Sequence, residues 1–320
     1  MEDRCREKLE TGHVSEKTAS GRDSLYLAFE TWMQEALPDY DVLSLVRKTP
    51  GTLCEWIQEF TTQCYLKGWP RTKTAEMLLA IQDRHGVLRS QLGGSWKLLR
   101  TWQHSEPCVV HPPCPIHLLK AMVVTALAWS WPDVAATLLV GFYALLRPIE
   151  YLQVTTDDLV PPTIHAAGHV LFVGVPKHKS QRRGPRRTHV RIDEEPVVTY
   201  LCHVAKQLGP STPLFSHSVG VWRRRLAQLT MHLTGHEKLI LPSSLRPGAA
   251  THFFELWGEN LPRLLWRGRW SSQRTLEHYV QEIVSAQVLM RVETSKVEKI
   301  HKLSNMFVEV LRESKAQEQR

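Results

Sequence analysis

The chain has 320 residues, enough for one large domain or two of ordinary size. Hydrophobic residues make up 42% of it, a fraction typical of globular proteins, which excludes a fully disordered chain and a fibre. The strongly apolar runs at residues 121–132 and 134–146, which Asp133 separates, are shorter than the ~18 apolar residues that a membrane span needs. The charged start, MEDRCREKLE, predicts no secretory signal, so we expect a soluble intracellular protein.

Positive charge is concentrated in one part of the chain. Residues 177–274 contain 17 Lys/Arg and six Asp/Glu, a net charge of +11, whereas the whole chain carries +8, so the remainder carries −3. A basic block of this kind is typical of a protein that binds a polyanion, most often nucleic acid. A solvated basic face is the alternative interpretation.

The cysteines do not predict a disulfide framework, because the six of them are scattered along the chain. Four residues with side chains that zinc accepts follow one another at three-residue intervals: Cys108, His111, Cys114 and His117. Prolines interrupt this segment, however, and its spacing matches no zinc-finger pattern. We therefore interpret residues 107–116 as a Pro-rich linker and predict neither a metal nor a cofactor.

The N-terminal half predicts a short lead-in and a small helical domain. Residues 1–22 are dense in charge and lack periodicity, which favours a mobile lead-in. From 23 to 106, apolar residues recur at helical spacing over 25–37, 53–64 and 74–91. No long β-type alternation occurs in this region.

The C-terminal half predicts more helices and a small sheet. Strand patterns at 169–175 and 188–192, joined by a basic turn, indicate a hairpin with a long loop. Helices are expected at 116–128, 133–146, 196–208, 220–233, 246–257, 261–267, 272–288 and 293–312. The last carries an apolar stripe with no evident partner in the chain. The predicted fold class is mainly α with a small antiparallel sheet (α+β), with domains at 23–106 and 117–290 and a C-terminal helix at 291–320.

The residues that suit chemistry lie at the ends of these elements. Arg147 follows an apolar helix and precedes Glu150 by three residues, which fits either a structural ion pair or a ligand contact. The loop KHKSQRRGPRRTHVR, residues 177–191, has seven Lys/Arg and no acid, as a phosphate-backbone contact requires, although a solvated turn fits as well. Arg246 stands at a helix start, where anions are favoured.

The segment from residue 242 to 279 continues with helix punctuation and two aromatic residues. Gly258 and Gly268 predict helix ends, and Ser271 or Ser272 predicts the cap of the following helix. Trp270 and Tyr279 bracket that helix. A single tyrosine on an amphipathic helix is more often a core residue than a nucleophile.

Four separated motifs together resemble the tyrosine recombinases (the phage-integrase family), particularly the divergent members of eukaryotic mobile elements. They are GFYALLRPIEYLQVTTDD at 141–158, SSLR at 243–246, GAAT at 248–251, and GRWSS at 268–272 followed by Tyr279. The resemblance covers about residues 117–285 well and the helical half loosely. It implies a two-domain clamp on double-stranded DNA with an integrase-like catalytic domain.

The resemblance also implies roles for individual residues. Arg147 and Arg246 would hold the scissile phosphate, Trp270 would donate an N–H to it, and Tyr279 would attack it. The hairpin lysine falls on Lys179, with Lys177 as the second choice, and Glu150 would support Arg147. The remaining loop cations would contact DNA: Lys177, Arg182, Arg183, Arg186 and Arg187. DNA cleavage and rejoining through a 3′-phosphotyrosine would follow, in the nucleus, with self-association through the C-terminal helix.

One position departs from the family pattern. Ser243 stands where the family usually has histidine or lysine, a residue that assists proton transfer and is typically worth about 10²–10⁴ in rate. Tyrosine, with an ordinary pKa of about 10, is a weak nucleophile without such help. Three hypotheses therefore remain: a DNA strand-transferase, a recombinase-derived DNA-binding protein that does not cut, and an unrelated helical adaptor that binds RNA or acidic proteins.

Overall fold

The computed structural model describes residue 14 and residues 16–107, 111–162, 169–175 and 189–317. The chain divides into two compact units, Met1–Val109 and Val110–Arg320. The described part is mostly helical with one small antiparallel sheet, which confirms the predicted fold class. No helix in these described ranges is both long enough and apolar enough to cross a membrane.

The described residues of the first unit form five α-helices around an apolar core. They are α1 (Glu16–Ala36), α2 (Val42–Lys48), α3 (Pro50–Leu66), α4 (Arg71–Arg84) and α5 (Gly93–Ser105). Phe29, Ile57 and Ile81 are fully buried at its centre. The helix predicted at 74–91 ends at Arg84, because His85 leaves the helix and a short 3₁₀ turn, Gly86–Leu88, follows.

The segment predicted as a mobile lead-in, residues 1–22, overlaps the first described helix. Helix α1 already begins at Glu16, so residues 16–22 belong to the folded unit. Arg22 explains why, since its side chain donates to Glu76 at 2.9 Å and to Asp83 at 2.5 Å and so ties this turn to α4. Charge density alone did not reveal that these charges are paired.

The second unit combines helices with a three-stranded sheet. Its elements in order are α6 (Ile116–Ala128), α7 (Pro132–Tyr143), α8 (Pro148–Tyr151), β1 (Leu159–Val160), β2 (Leu171–Gly174), β3 (His189–Ile192), α9 (Glu195–Leu208), α10 (Val219–Thr234), α11 (Leu245–Leu256), α12 (Leu261–Gly268), α13 (Gln273–Glu277), α14 (Glu282–Met290), α15 (Thr294–Asn305) and α16 (Phe307–Gln317). Most residues of α6 and α7 are buried, which accounts for their largely apolar sequences.

The sheet has the order β1–β2–β3 with antiparallel pairing. Leu159 pairs with Val173, and Leu171 pairs with Ile192. The sequence predicts β2 and β3 as a hairpin but not the two-residue strand β1, which is too short to show alternation.

The C-terminal segment differs from its prediction in two ways. The helix expected at 293–312 is broken at Met306 into α15 and α16. Its apolar stripe also has a partner in the same chain, because Ile300, Phe307 and Leu311 are buried in the core of the second unit. Helix α15 packs against α6, so the stripe is not free surface.

Candidate active site

Glu150 is the centre of a charged cluster in the second unit, although its side chain is only 1% exposed. Its Oε1 accepts a hydrogen bond from Arg147 Nη1 at 2.9 Å, and its Oε2 accepts from the Arg147 backbone N–H at 2.9 Å. Arg269 Nη2 donates to the same Oε2 at 2.7 Å. Burial alone would raise the pKa of Glu150, but Arg269 and Arg147 outweigh burial and hold that pKa below its ordinary value. Glu150 is therefore an ionised carboxylate shared by two arginines.

The sequence Arg147–Pro148–Ile149–Glu150 explains how this pair forms. Helix α7 ends at Tyr143. The sequence had indicated that Arg147 closes this long apolar helix, but Arg147 lies at the N-cap of the short helix α8. Pro148 occupies the first helical position, where a missing N–H is tolerated. The Glu150 carboxylate then reaches back to the Arg147 N–H, as in a capping box.

Arg246 lies beside this cluster and is only 3% exposed. Its Nη1 donates to the Leu145 carbonyl at 2.7 Å and its Nη2 donates to the Gly268 carbonyl at 2.7 Å. Its Nη1 also lies 3.7 Å from Glu150 Oε2, too far for a hydrogen bond. Burial, together with the charges of Arg147 and Arg269, lowers the pKa of Arg246, although a guanidinium stays charged at neutral pH. The Leu145 and Gly268 carbonyls fix the orientation of the Arg246 guanidinium.

Trp270 and Tyr279 lie over the Arg246 guanidinium. Arg246 Cζ is 4.8 Å from the centroid of the Trp270 ring and 5.4 Å from that of Tyr279. The two ring centroids are 5.1 Å apart. The second arginine, the indole and the phenol that the sequence singles out thus converge on one place, with Glu150 linking them to Arg147.

Three buried N–H groups in this cluster have no acceptor within the described residues. They are Trp270 Nε1, Arg246 Nε and Arg269 Nε. A buried donor without a partner costs about 1–3 kcal/mol. A site that keeps several such donors together is suited to a ligand that carries several acceptor oxygens.

The segment of Tyr279 is held by a threonine, not by a helix. The sequence predicts one helix over 272–288, but α13 ends at Glu277 and α14 begins at Glu282, so Tyr279 lies between them. Thr251 Oγ1 donates to the Tyr279 carbonyl at 3.4 Å and accepts from the Gln281 N–H at 3.0 Å. Ser272 is the N-cap of α13, one of the two serines proposed for that role.

Not every predicted residue takes part in the hydrogen bonds and ion pairs described for this cluster. Ser243 is exposed in the 3₁₀ turn Pro242–Ser244, and its neighbour Ser244 is the buried one. The cations assigned to the hairpin lie outside the described residues: Lys177, Lys179, Arg182, Arg183, Arg186 and Arg187. Of the residues weighed as zinc ligands, Cys114 is buried in the core and its thiol contacts the Pro115 carbonyl. Across the described ranges, no group of three or more His, Cys, Asp or Glu side chains is placed to hold a metal ion.

Three site residues carried no functional assignment in the sequence. Thr251 and Arg269 belong to the motifs quoted above, but periodicity gives no role to a single threonine or to one more arginine in a basic segment. Leu145 adopts a left-handed backbone with φ of 49° and thereby presents its carbonyl to Arg246. No glycine or asparagine marks that turn, so no local signal predicts it.

Comparison with known proteins adds a structural likeness. No protein-family model matches the sequence, and no curated protein sequence matches it. The similar solved structures include two of the XerH site-specific recombinase. One is a pre-cleavage complex with the difH substrate, with a TM-score of 0.56 at 12% identity over 86% of this chain and 79% of that one.

The other XerH structure is a post-cleavage complex with a palindromic difH substrate. It gives a TM-score of 0.52 at 13% identity, again over 86% of this chain and 79% of that one. At such low identity the likeness is one of fold. The chain therefore has a tyrosine recombinase-like fold, in agreement with the resemblance of its motifs.

Proposed function

We propose that this protein cleaves and rejoins double-stranded DNA through a covalent link between Tyr279 and a 3′-phosphate. The observation that carries the proposal is the convergence of Arg246, Trp270 and Tyr279 next to the Arg147–Glu150 pair. Residues from three separate motifs meet there, although more than a hundred positions separate the first from the last. The recombinase-like fold supports the same interpretation.

The charge balance of the site suits a phosphodiester. Arg147, Arg246 and Arg269 surround a single carboxylate, that of Glu150, so the cluster carries a local net charge of +2. Phosphoryl transfer is accelerated by fixed donors that face the non-bridging oxygens as charge spreads over them. The free N–H groups of Arg246 and Trp270 are such donors, and burial strengthens their interaction with an anion.

The chemistry then requires one bond exchange. The Tyr279 oxygen forms a bond to phosphorus, the bond from phosphorus to the 5′ oxygen breaks, and that oxygen leaves as a 5′-hydroxyl after taking a proton. The phenol proton passes to a base. In the proposal, Lys179 supplies the proton to the leaving oxygen. Because the phosphotyrosine retains the energy of the phosphodiester, rejoining needs no external energy source.

A second function is favoured by Ser243, whose hydroxyl is a poor base at a position where the family has histidine or lysine. On this alternative the protein binds DNA as a recombinase-derived protein without cutting it. The two functions differ in one product, the covalent adduct. Both imply a DNA partner, and we extend the proposal to nuclear residence, which the distribution of the full-length protein between nucleus and cytoplasm tests directly.

Trapping of the adduct decides between the two. The protein is incubated with a pool of nicked duplex DNAs. The nick lets the short strand that carries the freed 5′-hydroxyl diffuse away, and its loss prevents rejoining. We expect a denaturation-resistant adduct that is absent in Tyr279→Phe and present in Tyr40→Phe, a matched control at an exposed tyrosine of the first unit. A bound duplex that never yields an adduct supports the non-cutting alternative. An adduct that persists in Tyr279→Phe rejects Tyr279 as the nucleophile.

Self-association on DNA stays part of the proposal, but the C-terminal stripe no longer supports it. The C-terminal stripe once assigned to it is buried against its own unit. Light scattering of the wild-type protein on duplex DNA tests it without removing that core segment: a mass of one chain per duplex argues against self-association.

A further inference from the structure

Arg269 combines an unfavourable backbone conformation with a central position in the site. Its φ of 60° and ψ of 35° lie in the left-handed region, at the end of α12. The Trp270 N–H donates to the Leu265 carbonyl at 3.0 Å, and the Arg269 N–H donates to the Trp266 carbonyl at 3.4 Å. This is the pairing of a helix end whose left-handed residue is usually glycine. An arginine there is strained, and strain of this kind is retained where the surroundings impose it.

A glycine is available one residue earlier but serves another purpose. The sequence predicts Gly268 as the helix stop, yet Gly268 is the last helical residue and Arg269 takes the left-handed conformation. A Cβ added at Gly268 would overlap the Trp270 ring, so glycine is needed there for close approach. The turn therefore places Trp270 against residue 268 and sends the side chain of residue 269 into the cluster.

The Arg269 side chain is not needed to neutralise Glu150. That carboxylate already accepts hydrogen bonds from the Arg147 side chain and from the Arg147 backbone N–H. A third positive group leaves the cluster with surplus charge, which a purely structural ion pair does not require. The Arg269 side chain is only 12% exposed, and its Nε has no acceptor among the described residues.

Arg269 occupies the Glu150 oxygen that would otherwise be open to Arg246. Arg269 Nη2 occupies Glu150 Oε2 at 2.7 Å, while Arg246 Nη1 stays 3.7 Å from that oxygen. Without Arg269, Oε2 would retain only the Arg147 backbone donor, and the buried Arg246, 3.7 Å away, could move to pair with it. A guanidinium closed onto a carboxylate in a bidentate pair has fewer donors left for phosphate.

We propose that Arg269 is a positioning residue that holds Glu150 away from Arg246 and keeps the site positively charged, so that Arg246 remains available to a phosphate group. The inference rests on the proposed function for its biological ligand, a DNA phosphodiester. It does not require cleavage, because anion binding by the free protein depends on the same contacts.

The test measures affinity for inorganic phosphate by calorimetry and by the phosphate-induced rise in the unfolding midpoint of the full chain. Arg269→Gly is expected to weaken phosphate binding by about tenfold or more, because one charge is lost and Arg246 pairs with Glu150. Without phosphate, the variant should unfold at the same or a higher temperature, because glycine fits the left-handed backbone. Arg269→Asn, which also tolerates that backbone, should bind phosphate as weakly.

A double variant separates positioning from mere structural support. Adding Glu150→Gln to Arg269→Gly restores the local charge of +2 and removes the carboxylate that captures Arg246. We expect phosphate affinity to return to within about threefold of the wild type. Two controls should leave phosphate affinity unchanged: Glu259→Gly, which relieves an exposed left-handed residue, and Arg224→Ala, which removes an exposed charge.

Unchanged phosphate affinity in both Arg269→Gly and Arg269→Asn would overturn the inference, as would a double variant no tighter than the single one. Failure of the proposed function looks different. In that case phosphate affinity still depends on Arg269, but no duplex yields a Tyr279-dependent adduct with the wild-type protein.

Discussion

The two units each contain an arginine cluster, and the clusters differ in charge balance. In the first unit, Arg22 binds Glu76 and Asp83, and Arg84 binds Asp23, so two arginines meet three carboxylates. In the Glu150 cluster of the second unit, three arginines surround one carboxylate. The first arrangement is complete without a ligand. The second leaves buried donors without acceptors, which is the physical difference between a network that supports a fold and one that binds an anion.

The largest effect that separates the clusters is expected from Arg246→Lys. Lysine cannot donate to the Leu145 and Gly268 carbonyls and to a phosphate at once, because it lacks the planar fork of arginine. We expect the rate of adduct formation to fall by about 10²–10³, the usual loss for one transition-state donor. Arg22→Lys, the matched change in the first unit, should leave that rate unchanged. Equal losses in the two variants would show that the clusters have the same role.

A smaller effect concerns pH and a second crowding of positive groups in the same unit. Burial, followed by the charges of Lys120 and His117, lowers the pKa of His252 to about 4 from 6.5. Between these values the unfolded chain binds more protons than the folded one, so the free energy of unfolding falls as the pH falls through this window. The contribution of His252 to the free energy of unfolding, up to about 3 kcal/mol, is fully present above pH 6.5 and is lost as the pH falls toward 4.

Denaturant titrations at pH 7 and pH 4.5 measure it. His252→Gln should lose less stability than the wild type on acidification, since glutamine does not titrate, whereas His278→Gln, at an exposed histidine, should behave as the wild type does. A wild-type loss that His252→Gln fully retains would assign the acid sensitivity to other groups, such as Glu150 and Asp193, whose pKa values are held low by arginines after burial is overcome.

The smallest effect is expected from Gly268→Ala. The added methyl group overlaps the Trp270 ring, so either the ring or the turn must shift. We expect a destabilisation of about 1–3 kcal/mol, typical of an overpacked site, together with slower adduct formation. Gly21→Ala in α1 of the first unit, where nothing lies near the added atom, should instead stabilise by about 0.5–1 kcal/mol. If Gly268→Ala is as stable as Gly21→Ala, the close approach of Trp270 is not required.

The fold class and part of the candidate site could be predicted from the sequence. Buried helices such as α6 and α7 are recognisable because most of their residues are apolar, and the motifs around Arg147, Arg246 and Tyr279 identified residues that do converge. The break between α13 and α14 was not predictable, since residues 272–288 keep helical spacing. That break depends on Thr251, which binds the segment from another helix.

The left-handed residues were unpredictable for a related reason. Leu145 and Arg269 occupy backbone conformations that local preference assigns to glycine. Only tertiary contacts stabilise these conformations: Leu145 contacts Arg246, and Arg269 contacts Glu150. The C-terminal stripe was likewise assigned to a second copy because periodicity reveals an apolar face but not what covers it.

The most direct test of the account is to locate the covalent bond itself. An adduct trapped on nicked duplex DNA is digested with protease and nuclease, and the peptide that carries the nucleotide is sequenced by mass spectrometry. The account predicts a single modified residue, Tyr279, joined to a 3′-phosphate. A nucleotide on any other residue, or a 5′-phosphate link at Tyr279, would contradict it.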